Sequence, residues 1–76
     1  LDLRGMHAEE AVMELDQFLD NAVMTGINVV TVIHGKGTGV LRTAVQTFLR
    51  RNKHVRTFRL GTYGEGESGV TIVELK

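Results

Sequence analysis

Val29-Val30-Thr31-Val32-Ile33 runs without a break into His34-Gly35-Lys36-Gly37-Thr38-Gly39, and a helical period begins directly after. This passage constrains the fold more than any other. A nearly continuous apolar run from Asn28 to His34 reads as a strand covered on both faces, or as a parallel strand under helices. Glycines at alternate positions stop it and leave backbone N–H groups uncovered, because glycine has no Cβ. Leu41, Ala44/Val45 and Phe48/Leu49 then recur at helical spacing, so a helix begins near Thr38 or Gly39. A strand, a glycine turn and a helix therefore follow one another without a linker.

The flanking segments extend the alternation. Leu1-Asp2-Leu3-Arg4 alternates apolar and polar residues up to Gly5 and reads as a short strand. Ala8, Ala11/Val12, Leu15, Phe18/Leu19 and Ala22/Val23 form one apolar stripe, a helix that Gly26 ends. His7 takes the cap position with Glu10 at capping-box spacing, although His is a poor substitute for Ser or Thr. Glu9 and Glu10 suit the helix dipole. Asn52 reads as a left-handed stop for the second helix. His54–Leu60 reads as a third strand, Gly61–Gly69 as a loop and Val70–Leu75 as a fourth strand.

The order β-α-β-α-β-β predicts an α/β (α+β sandwich) fold, a four-stranded mixed sheet packed with two helices. Crossovers should be right-handed and the last two strands antiparallel neighbours. The strand order stays open. The 76 residues make a single domain, 1–76. A domain this small buries only about 60% of its unfolded surface, so its core has little surplus. Because the chain opens inside a motif at Leu1, we expect the C-terminal fragment of a longer protein. No apolar stretch is long enough to span a membrane and no secretory signal is evident. Without cysteine, disulfides and thiolate metal sites are excluded, which fits a cytoplasmic location.

The net charge of zero hides a strong asymmetry. Up to His34 the only cation is Arg4, against Asp2, Glu9, Glu10, Glu14, Asp16 and Asp20. The next segment carries Lys36, Arg42, Arg50, Arg51, Lys53, Arg56 and Arg59 with no acid until Glu65. Such a cationic block suits a nucleic-acid partner. Charge alone equally allows a solvated, mixed surface.

Ligands of open sheets of this kind gather at the carboxyl ends of parallel strands. Parallel first and second strands would put Asp2–Arg4 and His34–Thr38 on one edge. A third strand parallel to both would bring residues 61–69 there too. Asp2 and Arg4 share a face and form either an exposed ion pair or an Asp that orients a His or holds a cation beside a phosphate-gripping Arg. His34 is either a structural histidine bonded to the loop backbone or a general acid or base. Gly35-Lys36-Gly37-Thr38-Gly39 matches neither G-x-x-x-x-G-K-[ST] nor G-x-G-x-x-G, which excludes nucleotide hydrolysis and dinucleotide binding. Beyond His34, no base-and-orienter arrangement serves Ser68 or Thr38 as a nucleophile. Tyr63 either stacks on a base or is a plain exposed loop residue.

Together the motifs resemble the Smr (small MutS-related) domain family. Leu1-Asp2-Leu3-Arg4-Gly5 is similar to its opening L-D-[LV]-[HR]-G, His34-Gly35-Lys36-Gly37-Thr38-Gly39 to its H-G-x-G segment, and Ser68-Gly69-Val70-Thr71-Ile72-Val73 to its closing G-G-x-G-V-T-x-V. Arg4 and Arg50-Arg51-Asn52-Lys53-His54-Val55 resemble the branch fused to the C-terminus of bacterial MutS2. Glu67 stands where the family pattern has the second glycine of its G-G pair.

The resemblance implies a nucleic-acid-binding endonuclease, often nicking, acting on DNA or RNA in recombination suppression or ribosome rescue. It places Asp2, Leu3 and Arg4 in the cleavage motif and His34, Gly35, Lys36 and Gly37 in the substrate loop. The expected catalytic residues are Asp2, Arg4 and His34, with His34 as acid or base and Asp2 orienting it or binding a metal. Leu3, Gly35, Lys36, Gly37, Thr38, Gly39 and Arg42 are the expected nucleic-acid or phosphate contacts. No cofactor is expected in the domain. Magnesium or manganese stays open, although no ligand spacing indicates a metal site. The expected partner is DNA or RNA, including the ribosome, and no membrane. The parent protein is expected to be a dimer and the domain alone a monomer. Two alternatives remain: a non-catalytic DNA- or rRNA-binding module that targets the parent ATPase, and a protein-interaction domain whose basic helix meets an acidic partner.

Overall fold

In the computed structural model, which describes residues 1–76, the first apolar stripe becomes helix α1, Ala8–Met24, burying Ala11, Leu15, Leu19 and Ala22. Gly26, at φ +76°, lets the chain turn out of the helix. Its N–H donates to the Val23 carbonyl at 3.2 Å, and the Ile27 N–H to the Ala22 carbonyl at 2.9 Å, which satisfies the last carbonyls. His7 is the N-cap residue, but its side chain makes no capping bond. Helix α2, Val40–Arg51, buries Val45 and Leu49. The stop at Asn52 is not left-handed as expected. Asn52 is extended (φ −85°, ψ 125°), and its side-chain oxygen accepts the His54 N–H at 2.9 Å.

Strands β1 (Val29–Ile33), β2 (Val55–Leu60) and β3 (Val70–Leu75) form one sheet in the order β1-β3-β2. Both pairings are antiparallel, so β1 and β2 run parallel on either side of β3. The expected four-stranded mixed sheet is thus a three-stranded antiparallel one. Leu1–Arg4 contributes a lone parallel bridge, Asp2 to Ile33. Its ladder is brief: the Leu3 N–H donates to the Ile33 carbonyl and the Ile33 N–H to the Leu1 carbonyl, each at 2.7 Å. Beyond it the Asp2 carboxylate captures the Arg4 N–H at 3.0 Å, and Gly5 turns away at φ +85°.

Nor is β1 covered on both faces. Val30 and Val32 are buried, whereas Val29 is 55% exposed and Thr31 is exposed. Both helices lie on one face, where Leu3, Val30, Val32, Val73 and Leu75 share a core with the α1 and α2 stripes. Each such side chain contributes about 1.5–3 kcal/mol on full burial. No helix is long and apolar enough to cross a membrane. The topology gathers the Leu1–Arg4 bridge, the end of β1, the end of β2 and the start of β3 at one sheet edge.

Candidate functional site

At that edge the chain leaves β1 through a glycine turn. The N–H groups of His34 and Gly35 both donate to the Gly69 carbonyl, at 3.1 and 2.9 Å, which ties the turn to the segment entering β3. Gly35 and Gly39 have φ of +79° and +86°, conformations that disfavour a side chain. From Lys36 to Arg42, no backbone N–H finds an acceptor within the protein. The later of these belong to the first turn of α2, which carries no acidic residue. A groove of about 410 Å³ opens over them, walled by Arg4–Ala8 on one side and His34–Arg42 on the other.

Three cations border the groove, in different states. Arg42 has no carboxylate partner, and its Nη2 lies 3.0 Å from where a Cβ on Gly39 would stand. The glycine therefore lets the guanidinium rest against the turn. Lys36 donates to the Glu67 carboxylate at 2.9 Å. That lysine holds the Glu67 carboxyl below its ordinary range. Arg4 grips Asp2 through Nε at 3.0 Å and Nη2 at 2.7 Å, leaving Nη1 free. These bonds, with the Arg4 backbone N–H, lower the Asp2 pKa to about 2. Both side chains are substantially exposed, so the pair itself adds little stability.

His34 is sealed. It is only 4% exposed, and both ring nitrogens are engaged. Nδ1 lies 2.9 Å from the Gly35 carbonyl, which can only accept, so Nδ1 carries the proton and donates. In the neutral ring Nε2 then accepts the hydroxyl proton of fully buried Thr71, at 2.8 Å. This geometry matches the structural reading of His34, a ring bonded to the loop backbone. A proton exchange with substrate would first have to break one of these two bonds.

The structure brings Arg4, His34, Gly35, Lys36, Gly37, Thr38, Gly39 and Arg42 around one groove. It does not join Asp2 to His34, since the Asp2 carboxylate bonds Arg4 and the His34 ring bonds Gly35 and Thr71. Leu3, expected among the contact residues, is a correction: its side chain is wholly buried and anchors the motif from within the core. Residues 61–69 do reach this edge, through Glu67 and Gly69. Sequence reasoning assigned no role to Thr71 and did not pair Glu67 with Lys36. A polar residue on the inner face of β3, two positions before buried Val73, was the available signal for Thr71. No three His, Asp or Glu side chains converge into a metal-ligand group.

Known proteins share this fold. The Smr domain family model matches residues 1–76. The chain is 59% identical over 76 residues to a protein named Endonuclease MutS2 from Caldicellulosiruptor bescii. It is 60% identical over 76 residues to the one from Clostridium novyi. Each match covers 100% of this chain but 10% of the relative, so the chain spans a tenth of the length of these curated relatives. Among solved structures, the Smr domain of Thermus thermophilus MutS2 superposes with a TM-score of 0.98 at 46% identity, covering 100% of this chain and 95% of that one. YdaL, a stand-alone small MutS-related protein from Escherichia coli, superposes with a TM-score of 0.94 at 27% identity, covering 100% of this chain and 63% of that one.

Proposed function

The chain belongs to the Smr domain family, and from that premise we propose that it binds nucleic acid through its phosphates and cleaves the phosphodiester backbone at the same groove. The observation that carries this reading is the run of unpartnered N–H groups from Lys36 to Arg42 at the acid-free start of α2. Such a run presents aligned donors and the positive end of a helix dipole to an anion. Arg42 adds a free guanidinium. Curated relatives bear the name endonuclease, which supports the chemical half of the reading.

Cleavage requires stabilising the extra charge that builds on phosphorus, and fixed donors in a shaped groove do that without reorganising. Arg4 suits the task, because Asp2 holds its Nε and Nη2 and leaves Nη1 to face a phosphate oxygen. Asp2, with a pKa of about 2, stays ionised at neutral pH. It therefore acts as an acceptor that orients an attacking hydroxyl and not as an acid. His34 acts as a positioning residue: by holding the Gly35 carbonyl and Thr71 it locks the turn that aims the N–H groups.

The test is a nicking assay on supercoiled plasmid and on a structured RNA, each with magnesium or EDTA. Wild type is compared with Asp2→Ala, Arg4→Ala and His34→Ala, and binding is measured in parallel. We expect Asp2→Ala and Arg4→Ala to lose cleavage while keeping most binding, and His34→Ala to lose both together. Loss of cleavage with full binding in a folded His34→Ala protein would return His34 to acid-base chemistry. Binding without products in wild type would favour the second reading, a non-catalytic DNA- or RNA-binding module. The closed bonding of the His34 ring and the pairing of Asp2 with Arg4 are the observations on its side.

A further inference from the structure

The loop between β2 and β3 carries Tyr63, whose side chain the fold leaves in water. The residue is 94% exposed, and its hydroxyl bonds no protein group. Its backbone is held tightly. The Glu65 carboxylate accepts the Thr62 N–H at 2.9 Å and the Thr62 hydroxyl at 2.8 Å. It also accepts Arg59 Nη1 at 2.8 Å and Nη2 at 3.0 Å. The Thr62 carbonyl accepts the N–H groups of Glu65 and Glu67, at 2.9 and 3.3 Å, which closes the loop on itself. Gly61 and Gly66 lie so close to Val70 that a Cβ on either would come within 2.5 or 2.7 Å of its methyl groups. Tyr63 is thus an aromatic ring projecting from a clamped turn.

The clamp also fixes where the loop stands. Thr62, its neighbour, touches the Glu67 backbone, and the Glu67 carboxylate touches Lys36 in the glycine turn. Tyr63 is one Cα–Cα step of about 3.8 Å beyond Thr62. The loop that bears the ring is therefore tied to the Lys36 end of the phosphate groove.

Resting on the phosphate-binding reading, we propose that Tyr63 is a stacking platform for an unpaired base next to the phosphate held by the Lys36–Arg42 turn. A projecting ring offers a flat face to any nucleobase, and such stacking is tolerant of sequence. In a duplex the base faces are already covered by their neighbours. Only single-stranded stretches, loops and ends present a free face. The groove therefore takes unpaired nucleic acid in preference to a continuous duplex.

Tyr63 is the only tyrosine, and the chain has no tryptophan, so its ring protons are readily assigned in a proton NMR spectrum. The 76-residue chain is titrated with a short oligothymidylate, with the same strand carrying abasic sites, and with a duplex of equal length. We expect upfield shifts of the Tyr63 ring resonances with the base-bearing single strand alone. We also expect Tyr63→Ala to weaken that binding by about tenfold, and Tyr63→Phe, which keeps the ring, to restore it. Unshifted ring resonances and equal affinity for the abasic strand, with binding intact, would overturn the platform and leave the phosphate reading standing. No binding of any of the three probes would overturn both.

Discussion

Helices α1 and α2 both start at the wall of the same groove, and their first turns are furnished in opposite ways. That of α1 contains Glu9 and Glu10, so the positive end of its dipole meets carboxylates of its own chain. The first turn of α2 has no acid and begins at Gly39, while its last turn carries Arg50 and Arg51. The chain has therefore neutralised the C-terminal end of α2 and left the N-terminal end bare. An acid in that first turn would be worth roughly 0.3–1 kcal/mol to the helix. Forgoing this stabilisation at one end of one helix, beside unpartnered N–H groups, is the contrast on which the proposed phosphate site rests.

Supplying the missing acid breaks the contrast most directly. Val40 opens α2 and is 62% exposed, so Val40→Glu fits without repacking. We expect nucleic-acid affinity to fall by about tenfold or more while thermal stability stays level or rises slightly. Anisotropy titrations and circular-dichroism melts measure the two quantities, and unchanged affinity would refute the assignment of the α2 end. Removing the free cation comes next. Arg42→Ala should lower affinity about three- to tenfold, uniformly across sequences, and reduce the slope of log affinity against log salt by about one unit. A loss confined to particular sequences would mean that Arg42 reads bases.

What the sequence revealed of this edge, and what it hid, follows from the reach of each interaction. Val70–Leu75 and the two helix stripes were legible because side-chain period reports local backbone geometry. The alternation of Leu1–Arg4 could not show that the Asp2 side chain would take the Arg4 N–H and end the ladder. The apolar run Val29–Ile33 could not show which of its faces the helices would cover. Both helices meet Val30 and Val32, and Val29 is left exposed. His34 was singled out by type and place, but its bond to Thr71, 37 residues away, lay beyond the reach of any local pattern. The Lys36–Glu67 bond spans 31 residues and was equally invisible, although Glu67 already stood out as a departure from the family pattern.

That bond sets up a smaller contrast, between Arg42, which is free, and Lys36, which is occupied. Glu67 adopts φ +53°, a conformation that favours glycine, and its carboxylate competes with any phosphate for the Lys36 ammonium. Glu67→Gly removes both the competitor and the unfavourable conformation. We expect affinity to rise a few-fold at low salt, with the gain fading as salt screens the released charge. A drop in affinity would show instead that Glu67 aims Lys36 at its ligand.

The smallest effect concerns the clamp under Tyr63, where acids are consumed by the fold itself. Arg59 and the Thr62 donors hold the Glu65 pKa at about 2, below its ordinary 4.5. A carboxyl depressed on folding stabilises the native state fully above its ordinary value, and loses that contribution as pH falls through the depressed one. Glu65→Gln should therefore melt slightly below wild type at neutral pH, and the gap should close as pH falls from about 4.5 towards 2. The carboxylate is exposed, so solvent keeps the difference small. Because the same clamp holds Tyr63 in place, Glu65→Gln should also weaken single-strand binding, but by less than Tyr63→Ala, which removes the ring itself. Equal losses from the two variants would mean that the order of the turn, and not the face of the ring, is what the ligand recognises.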